Sequence, residues 1–560
     1  MFSLSVGLFA FVPGAAEEPA HDPRTDYDVL AYRLDLDLDP EARAIDGVVG
    51  IEARVVAPTL DALVFDAGDA LELRAAAELG AALDALSAKA NVALEFTRGE
   101  RSVTVKLTRA RKAGDVVRVA LQWRGKPGAK DGFEGVHWKT TRDGKPWFSV
   151  ACQGVGSSWW WPGKDSFWHP EDKPERTWID ATVPKGLFAV ANGRLVGRAV
   201  DGERETFHWV HEYPCETYAI TLDAAPYVVV EQKLALEGLE KPLTFAYYVL
   251  PENAEKAKLQ FADVPRMLAI YGQAFGPFPF PKAKYALVET AFWGMEHSTA
   301  VAYGSSYPKW CAANDEPDRF ADRNRAFDFI LVHESAHEWW GNAVSAADWG
   351  HFWLHEGFAT YAEAVYLEFL HGRAAADEYM EASRGQMGPS ARLYKGAGKS
   401  SAAAYGVDLY TKGAWVLATL RHCVDDDEAW WRTLRAFQAE YRYRNATTED
   451  FRAVLERETK KAWKRFFDEL VYGEGYPMLE GTVRASENGL EIVIENTSSG
   501  ATGFHVPVDL SWKAGAESGK RRLWLDPGRN ELVIALKSKP RDVVLRGPEH
   551  ILGKHAITIE

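Results

Sequence analysis

The chain has 560 residues and a formal net charge of −15, with 47 % hydrophobic and 26 % charged residues. That composition excludes wholesale disorder, and the acidic balance argues against nucleic acid as a partner, which needs a basic face. Four cysteines (Cys152, Cys215, Cys311, Cys423) are too few for a disulfide-stapled scaffold, and none forms the C-x-x-C pair of a structural zinc module.

Residues 1–17 resemble a signal peptide. An apolar run over 2–12 precedes Pro13-Gly14-Ala15-Ala16 and then Glu17-Glu18, without a basic start. The pattern predicts export to the periplasm or exterior, with the cytoplasm as the alternative. Export would permit a disulfide, whose pairing is not readable. No later run approaches the roughly 18 apolar residues of a spanning helix, so no membrane span is expected.

Length alone suggests about three or four domains. Residues 28–231 read as a β domain. Tyr32, Leu34, Leu36 and Leu38 alternate with polar residues, as do Val103, Val105 and Leu107, and Val117, Val119 and Leu121. Asp46-Gly47, Gly125-Lys126-Pro127 and Asn192-Gly193 mark turns. Residues 232–473 read as an α-rich domain. A helical stretch opens at Pro251-Glu252, with apolar positions Leu259, Phe261, Val264, Leu268 and Ile270, and stops at Phe278-Pro279-Phe280-Pro281. Short strands are expected at 285–288 and 299–303, then mostly helix from 319 to about 467. Asp425 to Glu428 read as the acidic first turn of a helix. Residues 478–560 return to alternating runs around Ile492, Val508, Leu525 and Ile534, which predict a small β-sandwich. The expected fold is multidomain α+β.

The chemistry concentrates at His333-Glu334-Ser335-Ala336-His337, inside a helical pattern. Residues i and i+4 share a helix face, so both imidazoles can meet one metal ion. Zn²⁺ suits imidazole nitrogen and prefers about four ligands. Glu334 lies beside that metal position, where a carboxylate can take a proton from water. The third ligand must come from elsewhere. Glu356, in Trp353-Leu354-His355-Glu356-Gly357-Phe358, lies 19 positions after His337, room for a helix end, a loop and a returning helix. Three ligands then leave one open position, as catalytic zinc needs. In a chain with 15 histidines, a chance H-E-x-x-H is expected on the order of 0.03 times.

These motifs resemble the gluzincin aminopeptidases, the family of aminopeptidase N and leukotriene hydrolase. The segment His351 to Gly357 is similar to that family's third-ligand segment. Gly294-Met295-Glu296-His297 resembles its G-x-M-E-N exopeptidase loop, and Tyr410-Thr411-Lys412-Gly413 its catalytic-tyrosine segment. The resemblance implies a thermolysin-like catalytic domain over 232–473 that holds one Zn²⁺ per chain on His333, His337 and Glu356. Glu334 is then the base and Tyr410 an oxyanion donor. Glu296 binds the free α-ammonium of a peptide, Gly294 and Met295 lie along its backbone, and Gln153 reaches its first residue. The implied activity is release of the N-terminal residue from peptides.

Two departures stand out: His297 replaces the usual Asn, and Trp293 the first Gly. They keep open another zinc hydrolase on the same scaffold, an epoxide hydrolase or an endopeptidase. A non-catalytic scaffold is the third alternative. The residues after the second β region do not include the large helical domain of longer members, so a more open cleft is expected. Glu363 is a candidate partner for a ligating His. Trp159-Trp160-Trp161 with Trp168 read as packing groups, and Tyr405 as a residue that either lines the pocket or packs.

Overall fold

The computed structural model describes residues 21–83, 92–304, 307, 327–386 and 391–560. The leader at 1–17, Cys311 and the expected helix over 319–326 lie outside the described residues.

The N-terminal alternation builds a sheet with one dry face. Tyr32, Leu34, Leu36 and Leu38 are fully buried, whereas Asp35 and Asp37 lie on the opposite face of the same strand. That strand, Tyr27–Asp39, pairs antiparallel with Ala44–Val55 and parallel with Arg176–Pro184 in an eight-stranded sheet. Two smaller sheets accompany it. One runs Phe188–Ala191, Leu222–Ala225, Pro146–Ala151, Gly135–Thr140. It ends in the loop that carries Gln153.

A five-stranded mixed sheet follows, in the order Val228–Leu234, Leu243–Val249, Lys284–Glu289, Val301–Tyr303, Gly294–Met295. Its last, edge strand leads directly into Glu296. The helices pack beyond it: α1 (Val264–Phe275), α2 (Phe329–Ala336), α3 (Trp353–His371), α4 (Arg373–Ser383) and α5 (Asp408–Val424). Asp328 starts α2 by accepting the Leu331 N–H at 3.1 Å. Gly372, at φ 87°, ends α3 as its N–H reaches the Glu368 carbonyl. Helices α3 and α5 cross at Gly357 and Gly413, where a Cβ on either glycine would stand within 3.0 Å of the other's Cα. Asp426 caps the helix after α5 through the Ala429 N–H, so the acidic run does start a helix.

The C-terminal residues form a four-stranded and a three-stranded sheet. Leu490, Ile492 and Ile494 of one share a core with Val508, Leu510 and Leu523 of the other. No described helix is long and apolar enough to cross a membrane.

Two local expectations need correction. Leu259 is 66 % exposed, because the helix it sits on ends at Gln260 and turns before Val264, which breaks the assumed periodicity. The strand expected over 299–303 covers only Val301–Tyr303, since Thr299 has φ 61° and leaves the extended region. Cys152, Cys215 and Cys423 are buried free thiols.

Candidate active site

Helix α2 presents His333, His337 follows one turn on at its C-cap, and the first turn of α3 brings in Glu356. The two Nε2 atoms are 3.3 Å apart, and Glu356 Oε2 is 3.4 Å from each. All three residues are buried. His337 Nδ1 lies 2.9 Å from the Trp340 carbonyl, which can only accept, so that nitrogen carries the proton and Nε2 carries a lone pair. His333 Nδ1 lies 2.7 Å from Glu363 Oε1, which fixes the same tautomer. Two imidazole lone pairs and a carboxylate oxygen therefore converge on one point, and that oxygen has no hydrogen-bond partner. Such a cluster repels itself unless a cation sits among its members. Two ligands about 2.05 Å from a tetrahedral zinc lie about 3.3 Å apart, so this triangle has the size zinc requires. The donor set fits the metal that the sequence implies. Without a metal the imidazoles can take up protons instead; burial alone would raise the Glu356 carboxyl, but as cations His337 and His333 outweigh it and hold the group below its usual range.

Glu363 extends this cluster outward. Its second oxygen accepts from the Tyr379 hydroxyl of α4. A hydrogen-bonded line thus runs from α4 through α3 to a ligand on α2, which is the arrangement that orients metal-binding imidazoles.

Glu334 lies on the other side of the cluster, against the edge strand. A Cβ on Gly294 would stand 2.6 Å from Glu334 Oε1, so a side chain there would have to displace the carboxylate from this position. Burial lifts the Glu334 carboxyl above its usual range, with the two imidazoles opposing the shift. Tyr410, in the first turn of α5, stacks beside His333 with ring centres 5.9 Å apart and bonds the Tyr405 hydroxyl. Burial first, then the Glu356 carboxylate, raises its phenol well above the ordinary value, so it remains an O–H donor.

Glu296 completes the cleft. A carboxylate oxygen of Glu296, one of Glu334 and a ring nitrogen of His337 all lie within 4.8 Å of one another. Glu296 Oε1 accepts from Gln153 Nε2 and, at 2.9 Å, from the Tyr218 hydroxyl, both from the N-terminal β region. Its backbone carbonyl accepts from Asn342 Nδ2 at 2.9 Å. Burial raises the Glu296 carboxyl, while His337 opposes that shift. Met295 is buried on the edge strand. His297 is fully buried, packs edge-on to Phe292, and burial lowers its imidazole to about 3. Trp293 is 40 % exposed.

Residues 260–470 match the Peptidase family M1 domain. That match spans the elements that carry His333, His337, Glu356 and Tyr410. The M1 domain and its flanks are similar to Aminopeptidase M1-B of Oryza sativa subsp. japonica, 26 % identical over 338 residues, which cover 58 % of this chain and 38 % of that one. Aminopeptidase B of Rattus norvegicus is 33 % identical over 141 residues, covering 23 % of this chain and 22 % of the relative. The chain thus spans well under half the length of these curated relatives. Among solved structures, a mutant M1 zinc metallopeptidase from Deinococcus radiodurans superposes with a TM-score of 0.63 at 21 % identity, covering 80 % of this chain and 95 % of that one. The same fold, at TM-score 0.61, has been solved with a Tyr-Ser-Ala substrate bound.

Around the M1 motifs stand residues that sequence reasoning passed over. Tyr218 reaches the site from the N-terminal β region, Tyr379 from α4, and Asn342 from the turn just after His337, and no local pattern marks them. His355 accepts the Ala346 N–H at Nε2 and His351 bonds the Thr448 hydroxyl, so neither reaches the ligand cluster. Trp160 and Trp161 are buried, whereas Trp168 is 54 % exposed and is not a core residue. Tyr405 is 47 % exposed and bonds the Tyr410 hydroxyl, which favours the pocket over packing for it.

Proposed function

We propose that this chain is a zinc aminopeptidase that hydrolyses the N-terminal residue from peptides with a free amine. The observation that carries the reading is the placement of the Glu296 carboxylate within 4.8 Å of both Glu334 and His337. An α-ammonium paired with Glu296 sets the first peptide bond of a substrate at the base and the ligand cluster. An internal peptide bond has no such cation to offer. Gly294–Met295, an edge strand among the described residues, can pair with an extended substrate backbone.

A zinc ion on His333, His337 and Glu356 would act as a Lewis acid toward water and the scissile carbonyl. Glu334 takes the proton of the attacking water and returns it to the leaving nitrogen. The Tyr410 hydroxyl donates to the carbonyl oxygen as negative charge develops there. Gln153 and Tyr218 hold the Glu296 carboxylate for the amine. The domain division at 28–231, 232–473 and 478–560 belongs to the same reading, with the cleft between the first two parts.

The test is release of free amino acid from paired unblocked and N-acetylated peptides, with and without a chelator, alongside metal analysis. Zinc-dependent release from the unblocked peptide alone is expected. Equal rates on both peptides would remove the exopeptidase reading, and activity that survives metal removal would remove the metallopeptidase reading.

A further inference from the structure

The loop after the edge strand has a backbone shape that none of these roles explains. Thr299 sits at φ 61°. A β-branched residue holds that conformation only where its surroundings over-determine it. Here the Thr299 hydroxyl accepts from the Gly193 N–H at 2.7 Å and donates to the Ser298 carbonyl at 2.6 Å, while the Thr299 N–H donates to Glu338 Oε1 at 2.7 Å. Next to Gly193, Asn192 donates through Nδ2 to the Ser298 carbonyl at 2.6 Å and the Ala219 carbonyl at 2.8 Å. Its Oδ1 accepts the Thr221 N–H at 2.7 Å. Every one of these side chains is buried.

The Asn192–Gly193 turn therefore has its tip inside the loop that follows Glu296, and it is itself rigid. Gly193 has φ 76°, and a Cβ there would stand 2.0 Å from the Val210 carbonyl oxygen. Lys284 Nζ donates to the Ala191 and Gly193 carbonyls at 2.7 and 2.9 Å. The N-terminal β region thus grips this loop twice, at the Glu296 carboxylate through Gln153 and Tyr218, and at the main chain through Thr299.

We propose that Thr299 is a positioning residue whose hydroxyl, bonded to Gly193, locks the loop so that the Glu296 carboxylate stays aimed at a substrate's α-ammonium. The selection of free N-termini then depends on the Asn192–Gly193 turn. The proposal rests on the aminopeptidase reading above.

Thr299→Ala and Thr299→Ser test it in the zinc-loaded full chain. Both relieve the β-branched strain, and they differ by one oxygen atom. An aminoacyl anilide and its analogue lacking the amine are assayed side by side, with hydrogen exchange over residues 294–300 and zinc content. The alanine variant leaves the buried Gly193 N–H without its acceptor, so KM for the free-amine substrate is expected to rise between about fivefold and about a hundredfold. The change in kcat should be smaller, the slow turnover of the amine-free analogue unchanged, zinc content unchanged, and exchange in the loop faster. The serine variant should stay within about twofold of wild type. Wild-type KM and exchange in the alanine variant would overturn the proposal. Serine as impaired as alanine, or an equal loss on both substrates, would do so too. Failure of the wild-type chain to release N-terminal residues would sink the aminopeptidase reading separately. The exchange comparison would then still decide whether the hydroxyl holds the loop.

Discussion

Replacing Glu363 by glutamine keeps the shape of the side chain but removes its charge. In the structure its Oε1 accepts the His333 Nδ1–H at 2.7 Å, and both groups are nearly free of solvent contact. A hydrogen bond to a charged partner contributes about 1.5–3 kcal/mol against about 0.5–1.5 kcal/mol for a neutral one, so the exchange costs about 1–2 kcal/mol of support for the ligating imidazole. At 1.4 kcal/mol per factor of ten, zinc affinity should fall roughly five- to thirtyfold. Removal of an outer partner of a metal-bound His costs about ten- to a hundredfold by direct comparison with other sites, so Glu363→Ala should lie at the upper end. The amide nitrogen of the glutamine would also meet the Tyr379 hydroxyl, which would have to reverse its donation. Competition against a chromophoric zinc chelator at fixed pH measures the effect, with circular dichroism to check that the apo fold is intact. If both variants bind zinc as tightly as wild type, Glu363 does not support the ligand and the reasoning fails.

Glu334→Gln should hold zinc within about twofold of wild type yet lose about 10²–10⁴ in turnover, and a fully active variant would refute the general-base role. Tyr410→Phe should cost about a hundredfold in kcat with little change in KM, as loss of an oxyanion donor does; a matching loss in KM alone would instead mark a substrate-binding role. Asp328 gives a pH signature. Burial pushes its carboxyl up to about 6 from the usual 3.8, so the folded chain binds this proton more tightly than the unfolded chain. The resulting stability is fully present below about pH 3.8 and is lost as pH rises through about 6, a swing of about 3 kcal/mol. Asp328→Asn removes that swing. Urea unfolding from pH 4.5 to 7 should therefore show the variant gaining on wild type as pH rises, and a pH-independent difference would contradict it.

The metal cluster was readable in the sequence because its spacing is set by helix geometry. His333 and His337 must share a face of α2, and Glu356 announces itself within a second helical pattern. Strands such as Tyr27–Asp39 were readable for the same reason, since Leu34, Leu36 and Leu38 repeat every second residue. What holds the Glu296 carboxylate was not readable. Gln153 and Glu296 are 143 positions apart, and Tyr218 and Glu296 are 78 apart, so no window of sequence contains both partners. Thr299 looked like the start of a strand because its side chain favours one. Its left-handed backbone is held by Gly193 and Glu338, two tertiary contacts that outweigh local preference, together with a bond to the neighbouring Ser298 carbonyl. Leu259 misled for the converse reason: a helical repeat was extended across a break that only the packed structure reveals.

Gly357 and Gly413 carry one further consequence. Glu356 stands one residue before the first glycine, and Tyr410 three before the second. Main chain rests on main chain at this crossing, with no side chain between to act as a spacer. The separation of carboxylate and phenol is therefore insulated from drift in the surrounding interior: larger or smaller neighbours can come and go over evolutionary time without resetting it. Even a single added methyl at either glycine would pry the two helices apart and, with them, the two functional groups they carry.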